Sequence, residues 1–295
     1  MSEAASPPTR SSDAPTPEPS AGARPDLVSS GRERLSFWER VIVGFVRGTF
    51  RKGPIDELIR TLQHRLGSLW IHHCTKNLRH VHGLERLPKL ERSQSYIVVS
   101  NHRSFFDMYV ITGDLVRRRL QHRIVFPVRS TFFYDNPIGL FVNGVMSFFA
   151  MYPPLFRERK KLILNPTSLD ELSWLLRRGG MFCGIHPEGT RKKDDDPYTF
   201  LPAQRGVGRI IQGARVPVIP VFIHGLINDL PRQIESNFDG TGRKILVVYG
   251  EPIDFTDLLD EPPTARTEQR IADRTLEAIA KLGQEEQRLR AALGG

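Results

Sequence analysis

An α/β fold is what the 295-residue chain predicts, on three observations. Short runs rich in β-branched and aromatic residues (LRHVHG, YIVVS, RIVFPV, MFCGIH, VPVIPVFI and KILVVYG) are separated by segments of helical pattern, and such alternation specifies layered helices and strands. The segment LNPTSLDELSWLLRRGG reads as a helix that delivers the chain into MFCGIH, with Ser168 and Glu171 in capping-box spacing and Gly179 at the stop. The length suits one α/β core with attachments, since domains of this class commonly exceed 200 residues.

The elements divide the chain into four parts. Residues 1–30, which begin MSEAASPPTRSSDAPTPEPSAGARP, hold Pro, Ser and Ala but few large apolar residues, and they predict a disordered tail with no signal peptide. Residues 31–77 predict a helical pair: SFWERVIVGFVRGTF, a break at Gly53 and Pro54, then IDELIRTLQHRLGSLWIHHCTK. Its first helix mixes Phe37, Trp38, Val41, Ile42, Phe45 and Val46 with Arg34, Arg40, Arg47, Arg51 and Lys52. That mix suits an amphipathic helix on an anionic membrane surface and equally a helix packed on its own domain. Residues 78–260 carry the strands. Residues 261–295 read as a charged, solvated helical segment.

The apolar stretch NPIGLFVNGVMSFFAMYPPLF (136–156) is uncharged but interrupted by Gly139, Asn143, Gly144, Pro153 and Pro154. It predicts a buried helix, or one lying in a membrane interface, ahead of a spanning helix. The formal net charge of +9 predicts attraction to polyanions. No nucleic-acid module or interleaved stacking aromatics accompany the basic residues, so nucleic acid is excluded as a partner. Arg117, Arg118, Arg119 and Arg123 read as a site for the phosphates of CoA or lipid headgroups, or as a solvated helix end. Cys74 and Cys183 are too few for a disulfide framework and read as buried, in a reducing setting. His64, His72, His73, His80 and His82 lie near Cys74 without a ligand pattern, and no metal is expected.

Two short motifs carry chemistry. In NHRSFFD, the strand YIVVS runs out at Asn101, Ser104 caps the next helix and Asp107 falls at the third helical position, a capping box that explains both residues without catalysis. His102 has no such explanation. It sits at the carboxyl end of a strand, where α/β proteins place their sites, and one helical turn can bring Asp107 to its ring. A carboxylate on one ring nitrogen fixes the tautomer and leaves the other nitrogen to take a proton from a hydroxyl. In HPEGTRKK the glycine lets backbone amides approach a ligand, and Thr190 with Arg191 supplies a hydroxyl and a cationic fork suited to phosphate; a surface turn is the plain alternative. Lys192, Lys193 and Asp194 to Asp196 read as a solvated loop.

Taken together, NHRSFFD, then PEGTR, then VPVIPV resemble the glycerolipid acyltransferases, the family that includes 1-acyl-sn-glycerol-3-phosphate acyltransferase, over residues 81–253. The resemblance implies a mixed central sheet flanked by helices, with the helical pair meeting the membrane. It implies that His102 is the base and Asp107 its orienting partner, and that Glu188, Gly189, Thr190 and Arg191 help bind the acceptor's phosphate. Arg157 is the match for a further acceptor-binding block, and His186 stands where the family usually has an aromatic residue. The implied reaction needs no cofactor. An acyl group passes from acyl-CoA or acyl carrier protein to a lysophospholipid hydroxyl at the cytoplasmic face of a membrane, the protein being peripheral or monotopic, and phosphatidic acid is the product. Other acceptors (glycerol 3-phosphate, another lysolipid, a glycolipid), a thioesterase and a catalytically silent lipid-binding protein are the alternatives.

Overall fold

The computed structural model describes residues 22–117 and 121–294. Seven strands form one sheet: β1 (Arg79–His82), β2 (Tyr96–Ser100), β3 (Arg123–Arg129), β4 (Met151–Leu155), β5 (Met181–Ile185), β6 (Val218–His224) and β7 (Ile245–Tyr249). Their order is β1-β7-β6-β2-β5-β3-β4, parallel throughout except between β6 and β7. The helical elements are α1 (Leu27–Ser30), α2 (Phe37–Gly48), α3 (Pro54–Leu62), α4 (Ser68–Thr75), α5 (Asp107–Arg117), the short α6 (Ser130–Phe133), α7 (Pro137–Ser147), α8 (Asn165–Arg177), α9 (Gly206–Ala214), α10 (Leu230–Asp239), the short α11 (Thr256–Leu259) and α12 (Ala265–Ala292). The mixed α/β sheet flanked by helices is the expected fold class.

The six apolar runs all became strands; β2, β5, β6 and β7 are buried on both faces or nearly so once helices cover the sheet, while β1 is only half-buried. Helices α8, α9 and α12 pack side by side as one layer, and α4, α5 and α10 pack together as another. The side chains of Met108 in α5 and Phe126 in β3 crowd β5 so closely that position 184 suits glycine. A Cβ there would stand 2.7 Å from both the Met108 sulfur and the Phe126 ring.

Several expectations need correction. Residues 136–156 are not one helix: α7 ends at Ser147 and MYPPL forms β4. Two prolines suit that position because β4 is an edge strand, where missing N–H donors cost little. Residues 22–30, expected in the tail, belong to the folded part, and 1–21 lie outside the described residues. Leu27 is fully buried in the core, and Trp174 Nε1–H donates to the Gly22 carbonyl at 2.8 Å. Ser168 and Glu171 do not cap α8. The helix begins a turn earlier, at Asn165 and Pro166, and buried Glu171 instead accepts from Arg24 and Arg47 at 2.6 and 2.9 Å. Nor is the C-terminal segment merely solvated, since Ile271, Ala272, Ile279 and Leu282 of α12 join the same hydrophobic cluster as the strands.

Arg123 opens β3 fully buried, its guanidinium 4.7 Å above the Phe50 ring and 4.0 Å from Asp56, so it is no phosphate ligand; Arg118 and Arg119 lie outside the described residues. Two of the histidines near Cys74 have hydrogen-bond partners: His64 Nε2 faces the His122 carbonyl at 2.7 Å, and His72 Nδ1 accepts from Arg79 at 2.8 Å. Cys74 and Cys183 are both free and buried. Replacing Gly184 by Ala should cost about 1–3 kcal/mol, the usual penalty of overpacking, and thermal unfolding followed by circular dichroism should show a lowered Tm. An unchanged Tm would mean that the α5–sheet contact yields easily.

Candidate active site

Strands β2 and β5 are parallel neighbours, so the loops that follow them leave the same end of the sheet side by side. This is what brings NHRSFFD and HPEGTR together. Asn101 terminates β2 by imitating a peptide group: its Nδ2–H donates to the Ile223 carbonyl at 2.8 Å, and its Oδ1 accepts from the Ile223 amide at 2.9 Å. The chain then turns under Asp107. One oxygen, Asp107 Oδ2, accepts from the amides of Arg103 and Ser104 at 2.8 Å each and from His102 Nδ1–H at 3.3 Å. Ser104 Oγ accepts from the Phe106 amide at 3.2 Å. A cap is therefore present, but Asp107 is the first residue of α5 and not the third helical position, the Ser104 hydroxyl serves Phe106 in place of Asp107, and the same carboxylate orients the histidine.

Because a carboxylate only accepts, His102 carries its proton on Nδ1 and keeps the Nε2 lone pair. Its side chain is 19% exposed while that of Asp107 is 2% exposed, so the base meets solvent and its partner does not. Burial, aided by the positive charge of Arg191, pushes His102 down to about 4. Burial pushes Asp107 up to about 6, opposed by the neighbouring His186 and by the amides of Ser104 and Arg103.

The second motif is fastened to the first through Glu188. Buried in the turn, its carboxylate accepts from the His102 amide at 3.0 Å and from the Leu201 amide at 2.8 Å. Expected at the acceptor's phosphate, Glu188 instead points inward and braces the base. Gly189 takes φ +66°, and a Cβ there would lie 2.9 Å from the Gln204 side chain, so the turn needs glycine. Thr190 and Arg191 stand exposed on the rim. Arg157 reaches the same turn, its Nη2–H donating to the Gly189 carbonyl at 3.0 Å.

Residues 79–224 match the family described as Acyltransferase. The chain is 24% identical over 199 residues, 67% of its length and 65% of the relative's, to 1-acyl-sn-glycerol-3-phosphate acyltransferase beta of Homo sapiens. It is 25% identical over 207 residues, 69% of its length and 89% of the relative's, to 1-acyl-sn-glycerol-3-phosphate acyltransferase of Bacillus subtilis. The chain thus spans less than two thirds of the human relative. In fold it is similar to the crystal structure of the 1-acyl-sn-glycerophosphate (LPA) acyltransferase PlsC from Thermotoga maritima, at a TM-score of 0.50 and 21% identity, covering 89% of this chain and 93% of that one.

Residues 79–224 thus form an acyltransferase domain. Within this acyltransferase fold, four residues to which the motifs gave no role shape the site. Asn101 closes the strand. Asn228 Oδ1 accepts from Arg191 Nη1–H at 2.7 Å and from the Phe105 amide at 3.0 Å, tying the rim arginine to the loop before α5. Arg103 donates to Asp194 Oδ1 at 2.6 Å and to the Thr199 carbonyl at 2.7 Å. The loop expected to be solvated is in fact drawn onto the catalytic turn, with Lys192 Nζ on Asp194 at 2.6 Å as well. His186 is the fourth. Its ring stacks on His102, centroids 3.8 Å apart and planes 8° from parallel.

The nitrogens of His102 and His186 and an Asp107 oxygen lie within 4.8 Å of one another. Stacked rings send their in-plane lone pairs along parallel planes, which does not suit tetrahedral ligation of one ion. Arg191→Ala should raise the KM for a phosphorylated acceptor about tenfold and change kcat little, because a rim charge contributes to binding in ground and transition states alike. Initial rates against acceptor concentration check this, and an unaltered KM removes Arg191 from the acceptor site.

Proposed function

We propose that this acyltransferase moves a fatty acyl group from the thioester of acyl-CoA or acyl carrier protein to the free hydroxyl of 1-acyl-sn-glycerol-3-phosphate, giving phosphatidic acid. The observation that carries the reading is the His102–Asp107 pair, a solvent-facing imidazole whose Nδ1–H is held by a buried carboxylate. His102 Nε2 takes the acceptor's hydroxyl proton as the oxygen forms its bond to the thioester carbon. The tetrahedral intermediate then expels the thiolate as the C–S bond breaks, and the imidazolium returns the proton to sulfur. No acyl-enzyme is needed, since the thioester is already activated. Asp107 stabilises the imidazolium between the two steps. Arg191 and Arg157 stand on the rim that faces the acceptor and favour a phosphate there. The names of the relatives support the choice of acceptor.

The deciding experiment is an assay of purified protein with acyl-CoA and with acyl carrier protein against a panel of acceptors: lysophosphatidic acid, glycerol 3-phosphate, other lysophospholipids and a glycolipid. Preferred turnover of lysophosphatidic acid supports the reading, and fatty acid release without acceptor supports a thioesterase. General-base action contributes ~10² to 10⁴ in rate. His102→Ala should therefore lower kcat by that order while the fold persists; near-normal activity in this variant rules the mechanism out. The pH dependence follows from the two shifts. His102 is neutral above about 4 and Asp107 is ionised above about 6, so the working pair, anionic Asp107 beside neutral His102, exists above about 6. The rate should rise with pH through about 6 and then level, a behaviour of the coupled pair.

We propose further that the protein works on a membrane surface without crossing it. Among the described residues no helix is long and apolar enough to span. Phe37, Trp38, Val41 and Phe45 of α2, Ile55 and Leu58 of α3, Leu69 of α4, and Ile138, Phe141 and Val145 of α7 are nonetheless exposed. These helices adjoin: the Phe45 ring meets Phe149, just beyond α7, at 5.5 Å. Arg51 and Lys52, between α2 and α3, and Arg65, between α3 and α4, are exposed as well. Apolar groups with interspersed cations fit an anionic bilayer interface. In flotation with vesicles containing anionic phospholipid, Phe141→Asp should weaken partitioning about tenfold, the effect of one aromatic withdrawn from the interface. Partitioning equal to that of the unaltered protein counts against this face.

A further inference from the structure

His102 is held by its edge less firmly than a base should be. The Asp107 contact, 3.3 Å, is longer than the usual N–H to oxygen bond, and Asp107 Oδ2 already serves two amides at 2.8 Å. Something else must keep the ring from rotating about its Cβ–Cγ bond. We propose that His186 is a positioning residue for the acyl transfer: its ring lies flat on the His102 ring and holds the base in the one plane that aims Nε2 at the acceptor. This rests on the reading of His102 as the base.

His186 is itself fixed. Its Nδ1–H donates to the Ser100 carbonyl at 3.1 Å, the Ser100 hydroxyl stands 3.2 Å from the same nitrogen, and the residue leaves β5 beside the end of β2. Two residues on, Glu188 holds the His102 amide. One short segment thus grips the base by backbone and by ring face, while Asp107 takes the edge. The stack tolerates proton transfer because His186 stays neutral: burial and the neighbouring His102 push it down to about 3. When His102 gains a proton, the new charge meets a neutral π face and an anionic carboxylate. A second cation never forms beside it at working pH.

The test compares His186→Phe, which keeps a flat ring, with His186→Leu, which fills similar space without one. His102→Ala identifies the His102 signals in long-range ¹H–¹⁵N spectra of histidine-labelled protein. Unaltered protein and His186→Phe should show His102 as the single Nδ1–H tautomer, and His186→Leu an average of both tautomers. With acyl-CoA, His186→Leu should lose about 10²-fold in kcat with acceptor KM unchanged, as misplacement of a base does, and His186→Phe should stay within about threefold. A single tautomer in His186→Leu, or equal loss in His186→Phe and His186→Leu, overturns the proposal. So does a raised KM at constant kcat, which would make His186 an acceptor contact. A protein that acylates no acceptor fails the functional reading alone, and the spectra still decide the role of His186.

Discussion

The amides of His102, Arg103 and Ser104 are three consecutive backbone donors, and all three are bound by buried carboxylates: the first by Glu188, the others by Asp107. On this arrangement the site depends. A turn at the end of a central parallel strand leaves its amides without ladder partners, and burying them unpaired would cost roughly 1–3 kcal/mol each. Asp107 satisfies two of them from the first residue of α5, where the helix dipole also favours its charge. The base is then oriented by a group that the backbone needs in any case. One oxygen thus serves the local folding requirement and the edge of the base, while the His186 ring lies on its face. Glu188 extends the same logic across strands, since through it the loop after β5 is registered against the loop after β2.

What the sequence could reveal follows from the range of each interaction. Strands β2, β5, β6 and β7 were legible because apolar β-branched runs bounded by turns have few other solutions. His102 and Asp107 were legible because one helical turn determines whether they meet. β4 was hidden because MYPPL reads as a break, and two prolines become acceptable only when the strand is known to lie at an edge. The capping-box spacing of Ser168 and Glu171 is a local signal that a tertiary demand overrode: the guanidiniums of Arg24 and Arg47 need a buried anion there. The partners of Glu188, Arg103 and Asn228 were not legible, because they lie 86, 91 and 123 residues away in sequence. No periodicity reports such pairings.

The N-terminal helices show why hydrophobic patterning alone could not choose between a packed helix and a surface-seeking one. α2 is both. Ile42, Val43 and Val46 are buried in the core, while Phe37, Trp38, Val41 and Phe45 face outward. A helix apolar on two faces is unstable as a solvated monomer surface, and its outer face becomes meaningful only beside the exposed residues of α3, α4 and α7. The cations on and just after α2 are not equivalent either. Arg47 is committed to Glu171, whereas Arg51 and Lys52 remain exposed.

The same distinction applies to the net charge of +9, which says less about binding than the way individual cations are held. Arg103 is met by Asp194, Arg209 by Asp170 and Arg290 by Glu286, so their fields are largely cancelled. Arg191 and Arg157 differ. Among the described residues neither pairs with a carboxylate; they are held by the Asn228 carboxamide oxygen and the Gly189 carbonyl. A neutral acceptor fixes the direction of a guanidinium without neutralising it, so the charge remains available to an incoming anion at no cost of breaking an ion pair. It also explains why the Arg191 charge is felt at His102, lowering its affinity for protons and keeping the base free. Recognition of an anionic acceptor and readiness of the base then have a common electrostatic origin, in cations whose partners were left uncharged.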